Sequence, residues 1–382
     1  MPASIWGSLD EHFPIKQTYA FLNHAAVAPL PTMAAEAVMQ TAGEQRDHGT
    51  AVYPSWQRRL RQARESMARL MGTEACHVAF VKNTTSGLII AAEGIPWREG
   101  DNVVISSVEF PANVYPWLNL GRRGVQTRMV DPVEGRIRLQ DIEQAMDERT
   151  RAVSLSWVQY ANGFRADLGA LSELCHTKGA YLVVDAIQGL GAIPLDIGGL
   201  GIDFLAADGH KWMLSVEGCG VLYVSPRALE QMDPVNIGWL SVDNADDYGS
   251  HDFRLRQDAA RLEEGTHNMI GVHALGASAD VILQAGVEAV WERIKGLTGR
   301  LAEGLHGLGC DVLSPPGEHE RSGIISFRSQ KAASADLVGR LVAAGVIVAE
   351  RNQAVRVSPH FYNDESEIDR LLEGVRQTPR RH

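Results

Sequence analysis

The stretch Tyr181-Leu182-Val183-Val184-Asp185-Ala186-Ile187-Gln188 decides how this chain folds. Four apolar residues run unbroken into a carboxylate, the pattern of a strand buried on both faces in a parallel sheet. Asp185 then stands at the strand's carboxyl end, close to buried and in need of a partner. About 26 residues on, just past the next apolar run at 203–206, comes Asp208-Gly209-His210-Lys211-Trp212.

Outward from this pair, short apolar runs alternate with helical ones between about residues 77 and 225. The runs at 77–82, 102–106, 125–130, 152–157, 180–185, 203–206 and 219–224 are predicted strands, and 85–93, 114–120, 139–146 and 168–177 are predicted helices. Strands separated by helices imply an α/β fold with a mainly parallel, doubly wound sheet. In such sheets ligands bind outside the carboxyl ends of the strands, where the quoted residues fall. A long amphipathic stretch, roughly 272–308, reads as one connecting helix. A smaller α/β unit follows, with strands near 324–327, 346–349 and 354–357 and a closing helix after Asp364. The division is a large domain over 21–270 and a small domain over 271–382, onto which residues 1–20 pack.

The chain's 382 residues suffice for two domains with a shared core. A net charge of −11 argues against nucleic-acid partners or an anionic membrane surface. No stretch reaches the apolar length of a membrane span, and the first residues lack a signal-peptide pattern. Four cysteines without CxxC spacing suit a reduced, cytoplasmic protein and no metal site.

A strand-end carboxylate and a lysine past the next strand match the needs of pyridoxal phosphate chemistry. The lysine forms the Schiff base, and the carboxylate keeps the pyridine nitrogen protonated so that the ring accepts electrons. A single lysine is ordinarily a solvated charge; the neighbours of Lys211 argue otherwise. Lys211 must lose its proton to attack, which burial and nearby cations favour. Asn83-Thr84-Thr85-Ser86-Gly87 opens a helix after a strand, where free N–H groups and hydroxyls bind an anion such as a phosphate. Phe110 follows another strand and is able to stack on a flat ring. Arg356, flanked by Val355 and Val357, is suited to clamp a carboxylate through two parallel hydrogen bonds; a structural ion pair is the alternative.

Together these segments resemble the class V aminotransferase family of fold-type-I pyridoxal phosphate enzymes, the branch of cysteine desulfurases, selenocysteine lyases and isopenicillin N epimerase-like proteins. The resemblance runs from Phe21-Leu22-Asn23-His24-Ala25-Ala26 through Glu264-Gly265-Thr266 to the segment from Arg356 to Asn363. It implies Lys211 as the Schiff-base residue, Asp185 on the ring nitrogen, Gln188 near the phenolic oxygen, and Thr85 and His210 on the phosphate, with Thr84 beside them. It implies Arg356 on the substrate α-carboxylate, Asn23 and His24 bordering the substrate, and a homodimer in which Thr266 reaches the neighbouring subunit's phosphate.

The chain departs from the family pattern in four places. No cysteine lies between residues 346 and 355, where desulfurases carry a nucleophilic one. The stacking position holds Phe110 rather than His, which removes a proton shuttle. Asp208 stands where a phosphate-binding Ser is usual. Gln159-Tyr160-Ala161-Asn162-Gly163 replaces an Asn-x-x-Gly segment, so that either Gln159 or Tyr160 takes over a cofactor contact. The expected activity is transamination of an α-amino acid, with C–S or C–Se lyase chemistry or epimerisation as alternatives. A non-catalytic binding or regulatory relative would be expected to lack Lys211 or Asp185, and both are present.

Overall fold

A computed structural model of the chain describes residues 5–379. Its largest sheet has seven strands, in the order Val78–Val81, Gly220–Val224, Phe204–Asp208, Tyr181–Asp185, Thr150–Ser156, Asn102–Ser106 and Gln126–Val130. Only Gly220–Val224 runs against the others. The seven predicted strands are therefore all present, with ends displaced by at most two residues.

The unbroken apolar runs have a direct cause. Alternate residues of each strand enter separate cores on the two faces of the sheet. Leu182 and Val184 join helices Tyr53–Met71 and Leu168–Thr177 on one face. Tyr181 and Val183 join Thr84–Gly94 and the Trp117 helix on the other. A sheet covered on both sides has no reason to alternate apolar with polar residues. Gly87 sets how closely one of those helices approaches: a Cβ there would lie 2.7 Å from the Ala206 Cβ, so only glycine lets this helix start beside the sheet.

The predicted single connecting helix is two helices, Met269–Ala285 and Val287–Gly307, bent by 78°. Gly286 breaks the run at φ 81°, a conformation that L side chains rarely adopt. The first helix buries Val272, Leu275 and Ala279 in the core of the large sheet, and the second buries Leu297, Leu301 and Leu305 in a third core. That third core is covered by a four-stranded antiparallel sheet ordered Ala349–Arg351, Ala354–Val357, Ile325–Arg328 and Asp311–Val312. The closing helix Glu365–Arg376 begins with a capping box between Asp364 and Glu367.

The N-terminal segment touches both parts. Lys16 Nζ donates to Tyr362 O and Asp364 Oδ2, both at 3.0 Å, and the Phe13 ring stacks on Tyr362 at 4.0 Å. Trp6 Nε1 instead donates to Ala285 O at the end of the first long helix. Residues 1–4 lie outside the described residues. Among the described residues no single helix is long and apolar enough to cross a membrane.

Candidate active site

The carboxyl ends of five strands deliver residues to one hollow of about 310 Å³. Val78–Val81 leads to Asn83, Thr84 and Thr85, and Asn102–Ser106 to Phe110. Thr150–Ser156 leads to Tyr160, Tyr181–Asp185 to Ile187 and Gln188, and Phe204–Asp208 to His210 and Lys211. Arg351 and Arg356 enter from the small sheet, and Ala25, Ala26 and Val27 close another side.

Asp185 forms the floor. Its carboxylate is buried and receives one hydrogen bond, from Ile187 N at 3.0 Å. Burial pushes its pKa up to about 7; the Ile187 bond opposes that, and the nearby Glu109 charge adds to it. Gln188 beside it is fixed at both ends of its amide. Nε2 donates to Ala25 O at 3.1 Å and Oε1 accepts from Trp212 Nε1 at 2.9 Å, which leaves one N–H for the cavity. Trp212 is held in turn by His360, whose Nε2 donates to the Trp212 carbonyl at 3.0 Å.

Lys211 stands over this floor, with Nζ 5.7 Å from the Phe110 ring centroid. Burial lowers its pKa to about 8, with Arg356 and Arg351 pushing the same way against Asp185 and Asp208. Phe110 is half exposed and meets Tyr160 edge to face at 5.3 Å, so its ring forms a cavity wall. Next to the lysine, His210 Nδ1 lies 3.2 Å from Asp208 Oδ2. Asp208 thus sits beside an imidazole, while its Oδ1 has no hydrogen-bond partner. Thr84 Oγ1 accepts from Asp208 N at 2.9 Å, leaving its own O–H to donate. Asn83 caps helix Thr84–Gly94 through Ser86 N, and Thr85 sits in the first turn facing the hollow.

Arg356 forms the roof. The residue is 1% exposed, yet no carboxylate of the described residues pairs with it. Nη1 donates to Tyr160 O at 2.8 Å, whereas Nε and Nη2 are buried without a partner. Burial first, and Arg351 second, pull its pKa down to about 10. Among the described residues Arg356 therefore forms no ion pair, and only one of its three guanidinium nitrogens is hydrogen-bonded. The segment before it is a tight hairpin: Arg351 pairs with Ala354 across a two-residue turn in which Asn352 and Gln353 have φ 50° and 60°. No cysteine lines the hollow. Cys175, Cys219 and Cys310 are buried elsewhere with pKa values raised by burial, and exposed Cys76 is shifted the same way.

Four expected residues, His24, Asn23, Thr266 and Gln159, lie off the hollow. His24 is buried behind it: Nδ1 donates to Ser358 O at 2.8 Å, so Nε2 carries no proton and accepts from the Tyr362 hydroxyl at 2.7 Å. Both ring nitrogens are engaged, and burial holds the imidazole neutral. Asn23 pairs along the backbone with Ser358 and does not line the cavity either. The bordering residues are their neighbours Ala25, Ala26 and Val27. Thr266 is exposed on a separate hollow with Lys82 and Glu264, so within one chain it does not reach Lys211.

Sequence reasoning missed Glu109. It is buried and accepts from Ser156 N (3.0 Å), Ser156 Oγ, Asn113 Nδ2 (3.1 Å) and Gln159 Nε2 (2.7 Å). Gln159 is thereby tied down behind the wall, with Oε1 unpartnered, and it is Tyr160 that lines the hollow. The available signal was position alone: Glu109 follows a strand end, as Asp185 ends one.

The residues present fit pyridoxal phosphate. Asp185 is a buried anion without a cation partner, a place for a protonated ring nitrogen. The first turn at Thr84 and Thr85 with His210 offers donors to a phosphate, and Lys211 is an amine that loses its proton easily. The comparisons agree. The Aminotransferase class-V family matches residues 20–371. A probable cysteine desulfurase of Methanothermobacter thermautotrophicus is 30% identical over 95% of this chain and 96% of its own length. The isopenicillin N epimerase of Streptomyces clavuligerus is 28% identical over 98% of each. Among solved structures, the cystine C–S lyase C-DES in complex with cysteine persulfide superposes with a TM-score of 0.89 at 23% identity, over 96% of this chain and all of that one. With nearly its whole length matched, this chain belongs to the class V aminotransferase family and is an enzyme that works with pyridoxal 5′-phosphate.

Proposed function

We propose that the enzyme is a C–S lyase, which removes a sulfur substituent from the β-carbon of an α-amino acid and lets the sulfur leave the site. The observation that carries the amino-acid half is Arg356, a buried guanidinium with two N–H donors unclaimed, in the same hollow as an amine of lowered pKa. Its fork suits an α-carboxylate. The sulfur half is supported by the relatives, a probable cysteine desulfurase and a cystine C–S lyase. Storage of the sulfur on a cysteine of this chain is not part of the reading, because none lines the hollow.

In this reading Thr84, Thr85 and His210 hold the phosphate, Asp185 faces the ring nitrogen, and Gln188 turns its remaining N–H toward the phenolic oxygen. Phe110 covers one face. Pyridoxal phosphate, when bound, supplies the electron sink for the charge left at Cα. Arg356 fixes the α-carboxylate and so aims the Cα–H bond. Lys211 Nζ takes that proton; its pKa near 8 leaves a usable neutral fraction at physiological pH. Phe110 has no proton to give, so the Lys211 ammonium is the group that returns one to the departing sulfur. His24 and Asn23 act from behind, keeping the Ala25–Val27 wall in place. The active unit is a homodimer in which Thr266 serves the neighbouring subunit's phosphate. Four unpaired cysteines support a cytoplasmic setting.

The test is turnover without added keto acid. Holoenzyme is mixed with cysteine, cystine and a panel of other amino acids, while cofactor absorption, keto acid and released sulfur are followed. Many equivalents of keto acid and sulfur per site are expected. A single equivalent of keto acid, with the cofactor left in its amine form, would replace this reading by transamination. Inverted substrate with neither product would replace it by epimerisation.

A further inference from the structure

Asp208 ends the strand Phe204–Asp208 and lines the hollow with Thr84, Thr85 and His210, the residues assigned above to the phosphate. It is 5% exposed. Its backbone N–H is taken by Thr84 Oγ1. Among the described residues Oδ1 has no hydrogen-bond partner, and Oδ2 lies 3.2 Å from His210 Nδ1, which is itself buried and otherwise unpartnered.

Two lone pairs at that distance repel, whereas an N–H attracts a carboxylate. The imidazole hydrogen therefore sits on Nδ1, and a neutral ring keeps only a lone pair on Nε2. His210 lines the hollow with Nδ1 turned into the protein, so Nε2 is the edge left for a ligand. A phosphate dianion also offers only lone pairs. It meets Nε2 favourably only if a hydrogen lies between them. A serine at position 208 would remove this constraint, since its hydroxyl can donate to Nδ1 and leave the ring hydrogen on Nε2.

We propose that the site binds the cofactor's phosphate together with one added proton, held between His210 Nε2 and a phosphate oxygen, and that Asp208 imposes this requirement. This rests on the placement of the phosphate given above. A phosphate monoester is a dianion above about pH 6. The proton then comes from solvent, and affinity falls about tenfold for each further pH unit. Four other charged groups face the same space: Lys211 and Asp185 from neighbouring strand ends, and Arg351 and Arg356 from the small sheet. The Cys219 thiol lies near Asp208 and is kept protonated by burial. All five stay in place when residue 208 is changed, so a comparison at that residue isolates its own contribution.

The test is binding of pyridoxamine 5′-phosphate, which forms no bond to Lys211, to the full-length apoprotein. Calorimetry near pH 8 in two buffers of different ionisation heat counts the protons taken up, and affinity is followed from about pH 7 to 9. The wild type should take up about one proton more than D208S or the near-isosteric D208N, and both variants should gain about tenfold in relative affinity per pH unit. Equal proton uptake in the three proteins would overturn the proposal, even if the variants bound more tightly at every pH, since that is plain charge repulsion. H210N separates the proposal from the placement beneath it. Weak binding by H210N, with equal uptake in the other three, ends the proposal alone. Binding by H210N as tight as the wild type removes the phosphate from His210 and ends both.

Discussion

Glu109, beside the cavity-wall residue Phe110, and Arg356, in the roof, are both ionisable and both buried, yet their surroundings differ completely. Glu109 receives four hydrogen bonds from Ser156, Asn113 and Gln159, donors that the protein has brought to it. Arg356 makes one, to the Tyr160 carbonyl, and leaves two buried donors bare. Desolvating either charge is costly. At Glu109 the fold offsets that cost; at Arg356 the offset is left to something that arrives. Buried polar atoms without a partner that gather on one hollow, as those of Asp208, His210 and Arg356 do here, mark where a ligand is expected.

The hardest way to break this comparison is at Lys211. Lys211→Ala should lower turnover by at least a thousandfold and abolish the visible band of lysine-bound cofactor; an unchanged spectrum would remove the lysine from its role. In the wild type, the rate at which the apoprotein captures the cofactor should rise with pH through about 8, since only the neutral amine reacts. A midpoint near the usual lysine value would mean that the two arginines and burial do not act on it.

Asp185 comes next. Asp185→Asn should cut kcat/KM by roughly 10²–10³-fold, the scale of removing one preorganised electrostatic partner. It should also stabilise the apoprotein. The folded pKa of about 7 lies above the ordinary aspartate value of 3.8. Between these values the folded chain holds a proton that the unfolded chain has lost, so stability falls as pH rises through that window and the penalty is complete above pH 7. Asn lifts it. Melting temperature should rise at pH 8 and change little below pH 4; a loss at both would show that the carboxylate is structural.

The comparison itself is sharpened by a matched pair of substitutions. Arg356→Met keeps most of the volume and removes a buried, unpaired cation. It should fold at least as stably as the wild type while kcat/KM falls by about 10²-fold. Glu109→Leu strands four donors and should cost about 3–5 kcal/mol of stability. Thermal denaturation and steady-state kinetics on both proteins decide the matter. If Arg356→Met unfolds easily, the roof is held by its own arginine and the argument from bare donors fails.

Much of this was legible in the chain because the sheet is covered on both faces. Strands such as Tyr181–Asp185 then appear as unbroken apolar runs, and their polar ends advertise themselves. Asp185 ends such a run and Lys211 follows one, whereas Arg356 shows as a lone charge between Val355 and Val357 inside a strand of the small sheet. The break at Gly286 was not, since the helical spacing of apolar residues continues across it and only φ records the turn. Glu109 stays hidden because three of its four hydrogen bonds come from Ser156 and Gln159, 47 and 50 residues away, which only the fold brings to it. His24 was misplaced for the same reason: its partners Ser358 and Tyr362 lie more than 330 residues away in sequence, and they take both ring nitrogens.

The smallest expected effect concerns the turn that sets both arginines on one face. Asn352 and Gln353 both have positive φ. Asparagine tolerates that region, whereas glutamine carries a steric cost there, and Asn-Gly is the preferred pair for a two-residue hairpin. Gln353→Gly should relieve about 0.5–1 kcal/mol, part of which is returned through the greater freedom of the unfolded chain. The Gln353 carbonyl, which accepts from Arg328 Nε at 3.2 Å and Ser334 Oγ at 2.8 Å, is backbone and survives the change. Calorimetry should therefore show a melting temperature equal to the wild type or a degree or two above it. A fall would mean that the Gln353 side chain, and not the turn's backbone, holds the hairpin together, so that a loop contact rather than strand register would set Arg351 on the same face as Arg356.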